Sequence, residues 1–116
     1  MEKQQNTMVQ ELLDENDAER KYDLLGGFLA KCLAERYLTF PTKYSNYYLI
    51  TFFVRGKKNE LRLWAYTNGI RYYYSHLSLD PLHFQIDTFK LDERQIYDIV
   101  EMIFKKYDRK KMCTIL

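Results

Sequence analysis

The chain has 116 residues, 47% of them apolar and 29% charged, and a net charge of +2. That is enough apolar material for one folded core and too much for a disordered chain. A charge so close to balance excludes a global field that would drive nucleic-acid or membrane binding.

The first 17 residues are largely polar, with a small apolar set of Met8, Val9, Leu12 and Leu13, and read as an N-terminal arm or short helix. A single α+β domain is predicted over residues 18–108. It opens with a helix over 18–37, where Tyr22, Leu25, Phe28, Leu29, Cys32, Leu33 and Tyr37 recur at spacings of three and four. Gly26-Gly27 interrupts this helix, each glycine at a cost of about 1 kcal/mol relative to alanine, and marks a close backbone approach or a kink. Pro41 and the polar run that follows it end the helical part.

From Tyr47 the period changes to two. Four strands are predicted, at Tyr47–Arg55, Glu60–Thr67, Ile70–Leu77 and Leu82–Phe89. They are joined by Gly56-Lys57-Lys58-Asn59, by Asn68-Gly69, which is a strong two-residue hairpin signal, and by Asp80-Pro81. A last helix begins at Asp92, an N-cap with Gln95 placed to complete a capping box and Leu91 and Ile96 placed as a hydrophobic staple. Its stripe is Ile96, Ile99, Val100, Ile103, Phe104 and Tyr107. Residues 109–116 read as a basic tail. The expected architecture is therefore helix, four-stranded antiparallel β-meander, helix, with the helices on one face of the sheet.

The loop lengths predict a register. Phe52 should oppose Leu63 across the first hairpin, and Leu63 should oppose Tyr74 across the second. Both hairpins then select one core face: Tyr48, Ile50, Phe52, Val54, Leu61, Leu63, Ala65, Ile70, Tyr72 and Tyr74. The other face carries Tyr47, Leu49, Thr51, Phe53, Arg55, Arg62, Trp64, Tyr66, Arg71 and Tyr73, with Phe53–Arg62, Trp64–Tyr73 and Tyr66–Arg71 as cross-strand pairs. The fourth strand fits badly, because a plain hairpin at Asp80-Pro81 turns Phe84 and Ile86 away from this core.

A solvated sheet face normally carries Thr, Lys, Glu and Ser. Aromatic side chains interleaved with arginines point instead to a binding surface, since Tyr, Trp and Arg are the anchors enriched at protein interfaces. The candidate binding residues are Tyr47, Phe53, Arg55, Arg62, Trp64, Tyr66, Arg71 and Tyr73. The expected partner is another protein or a second copy of the chain. Single-stranded nucleic acid is the alternative, because bases stack on such rings.

No nucleophile, acid–base pair, phosphate loop or metal-ligand spacing stands out, so neither catalysis nor a cofactor or metal is expected. His76 and His83 flank the third turn without a third ligand. Two cysteines cannot form a disulfide framework, no stretch has transmembrane length, and the first residues lack the apolar core of a secretory signal. The expected compartment is the cytoplasm. The final Cys113-Thr114-Ile115-Leu116, behind a basic cluster, resembles a prenylation box, which would anchor a eukaryotic chain to a membrane through Cys113.

Overall fold

The computed structural model describes residues 2–44, 47–67, 72–80, 82–87 and 90–115, with side chains described except at 2–6, 18, 65–67, 72–76, 84 and 108–115. Helices α1 (Glu2–Asp14) and α2 (Ala18–Ala34) precede five strands, β1 (Leu38–Lys43), β2 (Tyr47–Val54), β3 (Lys57–Thr67), β4 (Tyr72–Leu79) and β5 (Leu82–Asp87), and α3 (Glu93–Ile115) closes the chain. The strands form one antiparallel sheet in sequence order. The predicted α+β meander between helices is thus the fold. It gains a fifth strand, and α3 runs on through the segment read as a basic tail.

Helix α2 starts where Asp17 accepts a hydrogen bond from the Arg20 backbone N–H at 3.1 Å. It lies on the core face of the sheet. The Tyr22 hydroxyl donates to the Leu63 carbonyl of β3 at 2.9 Å, and Gly26 passes against the Tyr48 ring of β2 so closely that a Cβ there would stand 2.5 Å from its Cδ2. The helix ends at Ala34, three residues earlier than its periodicity suggests. Tyr37 still reaches the core, packing against Phe52, Phe104 and Tyr107.

Helix α3 begins with the predicted capping box. The Asp92 backbone N–H donates to Gln95 Oε1 at 3.1 Å, and the Gln95 N–H donates to Asp92 Oδ1 at 2.8 Å. Leu91 and Ile96 are both buried beside it, as a staple requires. Asp92→Ala is expected to lower stability by about 1 kcal/mol, read as a shift in the urea midpoint with an unchanged slope. Ile96, Ile99, Ile103 and Tyr107 then enter the same core as Phe28, Phe52, Leu61 and Leu63. Helix α1 packs on α2 and α3, contributing Val9 and Leu12 to that core. Cys32 is buried on the α2 stripe, and burial, reinforced by Glu35, pushes its thiol up from 9.0 to about 12. It is a small core residue and a poor nucleophile.

The register of the sheet differs from expectation in two ways. Between β2 and β3, Phe52 opposes Asn59 and Ile50 opposes Leu61, four residues away from the predicted pairing. The turn is Arg55-Gly56, with φ of 52° and 80°. Positive φ at both central residues is the type I′ geometry that matches strand twist. A slip of four preserves every face, so Ile50, Phe52, Val54, Leu61 and Leu63 are all buried as predicted.

Between β3 and β4, Leu63 opposes Leu77 rather than Tyr74. This slip of three inverts the parity of β4 and buries Leu77 and Leu79. It also resolves the misfit of the last strand. Leu79 pairs with Leu82 across the short Asp80-Pro81 connection, and Ile86 is buried. The plain hairpin holds there; the predicted pairing one strand earlier does not.

Strand β1 is the sheet edge that sequence periodicity missed, because nearly all of it is exposed. Pro41 is tolerated there, since an edge strand has a free side that requires no N–H donor. Lys43 at its end reaches Asp23 of α2 at 2.6 Å, clipping the edge to the helix layer.

Candidate functional site

The helices leave the other sheet face open, and α1 does not cover it, being held on α2 and α3. Strand alternation assigns this face from Ile50, Phe52 and Val54, which are buried, so their neighbours Leu49, Thr51 and Phe53 point away from the core. Across the ladders the same face carries Leu38, Phe40 and Thr42 of β1 and Lys58, Glu60, Arg62 and Trp64 of β3.

Two aromatic groups stand on it. At one end Tyr44, Tyr47 and Trp64 form a stacked column. Tyr44 and Tyr47 have centroids 4.7 Å apart, and Tyr47 and Trp64 4.4 Å apart, with interplanar angles of 18° and 27°. The pairing of Tyr47 with Trp64 across the β2–β3 ladder sets the second contact. The Tyr44 backbone N–H, donating to the Tyr47 carbonyl at 2.8 Å, sets the first.

At the other end Phe40 meets Phe53 edge to face at 6.2 Å. Leu38 lies opposite Phe53. Leu38 is 65%, Phe40 52% and Tyr44 44% exposed, so a band of large apolar side chains along the β1–β2 edge faces solvent.

One carboxylate is shared by two cations on the described part of the face. Glu60 accepts Arg62 at 3.3 Å and stands 4.0 Å from Lys58. This order, Lys58, Glu60, Arg62 at alternate positions of one strand, leaves the described part of the face close to neutral.

Of the predicted site residues, Tyr47, Phe53, Arg62 and Trp64 are brought together on this face. Their partners differ from those predicted. Phe53 pairs with Lys58, Arg62 with Leu49, and Trp64 with Tyr47 and His76. Arg55 is not on the face, because it forms the turn at the sheet's end. Tyr66 pairs with Tyr74 rather than in the predicted register, and Tyr73 stands at the irregularity between that pair and Thr67–Tyr72, so the predicted Trp64–Tyr73 pair does not form. Arg71 lies outside the described residues, and Cys113 lies in the last turns of α3, where side chains are not described.

Sequence reasoning missed Leu38, Phe40 and Tyr44. The alternation of Leu38-Thr39-Phe40 was the available signal, and Pro41 is compatible with it only in an edge strand.

Among the described residues no cluster of three metal-ligating side chains occurs and no helix is long and apolar enough to cross a membrane. No protein-family model, curated protein or solved structure matches the chain.

Proposed function

We propose that the chain is a non-catalytic protein-binding module that uses the open sheet face, and that a second copy of the chain is the first partner to test. The observation that carries this is the apolar band of exposed Leu38 and Phe40 with half-buried Phe53, continued by the Tyr44–Tyr47–Trp64 column. Such a contiguous patch on a sheet is costly to leave in water, and burying it between two surfaces releases that cost. The stacked rings are already ordered by one another, so little rotamer freedom is lost on docking.

Charge supports a protein over a nucleic-acid strand. Glu60 holds the cations of β3 on this face, and a phosphate chain requires cations that are free to displace counterions. The rings stack on one another in a closed column rather than standing as separated platforms for bases.

Sedimentation equilibrium is expected to show association of the wild-type chain that changes little with salt. Phe40→Glu and Trp64→Ala are each expected to weaken it by about tenfold or more, with unchanged far-ultraviolet circular dichroism. A wild-type chain that stays monomeric at high concentration overturns self-association. Binding of single-stranded oligonucleotides that falls steeply with salt and is lost in Trp64→Ala overturns the protein reading of the face.

A further inference from the structure

A second surface lies on the opposite side of the sheet from the aromatic band. Where the β2–β3 hairpin meets α3, a cleft of about 490 Å³ is lined by Val54, Arg55, Lys57, Asn59, Lys106 and Tyr107. Val54 and Lys57 are cross-strand partners, as are Phe52 and Asn59. With Val54 and Phe52 buried, Lys57 and Asn59 share the core-side face and border the helix layer. Among the described lining residues three are cations and none is an acid.

Among the described residues no carboxylate lies within ion-pair distance of Arg55, Lys57 or Lys106, although nearby Lys58, Arg62 and Lys105 each have one. Lys106 instead has its ammonium 4.6 Å from the Tyr107 ring centroid, against the wall of the cleft. Three like charges around one concavity repel one another, and an anion seated among them removes that repulsion.

The floor is polar and rigid. The Tyr107 hydroxyl donates to Asn59 Oδ1 at 3.2 Å, and Asn59 Nδ2 donates to the Lys57 carbonyl at 3.0 Å. These bonds tie the helix and hairpin walls together, so the cations project from a fixed frame.

The backbone supplies an independent observation. Arg55 sits at φ 52°, the left-handed conformation that suits Asn, Asp or Gly at the first central position of a type I′ turn. The turn requires this conformation, and an arginine that lines the cleft occupies it in place of the residues that adopt it at least cost. Its planar fork is the side chain best shaped for bidentate contact with a phosphoryl group.

We propose that the cleft formed by Arg55, Lys57, Lys106, Asn59 and Tyr107 binds a multiply charged phosphoryl ligand of small-molecule size. Arg55 grips one phosphoryl group as a fork, and Lys57 and Lys106 neutralise its neighbours as point charges. The volume lies within the usual range for small-ligand sites.

Isothermal titration calorimetry with inorganic tripolyphosphate, at fixed ionic strength, tests this. The wild-type chain is expected to bind one equivalent saturably, more tightly than it binds inorganic phosphate. Arg55→Asn is expected to weaken binding by about tenfold or more while raising the urea midpoint, because Asn suits the turn. Lys106→Gln is expected to weaken binding similarly. Arg94→Gln, at the far end of α3, is expected to leave it unchanged. Absence of saturable binding into the millimolar range overturns the proposal. So does an Arg94→Gln loss as large as that of Arg55→Asn, which would show diffuse attraction to net charge.

Discussion

Raising the pH from about 9 to about 11 is expected to lower the stability of the fold by about 4 kcal/mol, through two buried acids that must stay neutral. Burial pushes the Cys32 thiol from 9.0 to about 12. Burial, with Tyr37 alongside, pushes the Tyr107 phenol from 10.0 to about 12. In the unfolded chain both ionise at their ordinary values. Between the unfolded and folded pKa the native state therefore holds protons that the unfolded state has released. The stabilisation is fully present below about pH 9 and is lost as pH rises toward 12, at about 1.4 kcal/mol per pH unit for each group in its window.

At about pH 11 the thiol is two units into that window and the phenol one. The loss is a large part of the stability of a domain this size. Tyr97, also raised chiefly by burial, acts with the same sign. Urea unfolding at stepped pH, under a non-thiol reductant, checks this. The decline is expected to flatten in Cys32→Ala with Tyr107→Phe, and an unchanged slope in that double variant would falsify the assignment.

Gly26→Ala and Gly27→Ala are expected to move stability in opposite directions although they are neighbours in one helix. At Gly26 an added Cβ would stand 2.5 to 2.8 Å from Cδ2, Cε2 and Cγ of Tyr48. Cγ is the root of the ring, so a swing of its tip does not relieve the contact. The strand and helix must separate, against the Tyr22 hydrogen bond to Leu63 and the Tyr22–Tyr48 edge contact at 6.0 Å. Overpacking of this kind costs about 1–3 kcal/mol and outweighs the helix propensity gained, about 1 kcal/mol.

At Gly27 nothing lies within 4 Å of the added carbon, so the propensity gain of about 1 kcal/mol stands alone. Urea midpoints of the two variants should fall on either side of wild type. In a Tyr48→Ala background Gly26→Ala is expected to turn neutral or stabilising, since the two positions touch and their effects couple. Equal stabilisation by both alanines in the wild-type background would show that the close approach does not constrain the fold.

The same glycine pair shows what was legible beforehand. The doublet within an apolar stripe signals a close approach or a kink, and the sheet contact at Gly26 decides between them. The aromatic face was half legible for a related reason. Tyr47, Phe53, Arg62 and Trp64 are assigned to it by alternation within β2 and β3, and alternation is a property of the strand alone. Leu38 and Phe40 were not, because an edge strand that buries little leaves no alternating burial to detect. Arg55 belongs to the face only if the turn begins one residue later than it does.

Local chemistry in the chain determined the α3 cap, the helical stripes, the period-two segments and the core faces of β2 and β3. Each depends on neighbours within a few residues, or on parity, which a slip of four leaves unchanged. Tertiary structure alone decided which turn joins β2 to β3, that Leu38–Lys43 pairs as an edge, and which side of β4 is inward. A two-residue hairpin at Asn68-Gly69 differs from the observed pairing by an odd number of residues and would have exposed Leu77 and Leu79. Burying these leucines against the helices, with Leu77 opposite Leu63, outweighs that local turn preference, because it is worth roughly 1.5–3 kcal/mol per leucine. A hairpin read in isolation cannot register that gain, since the surface that buries the leucines comes from helices distant in the chain.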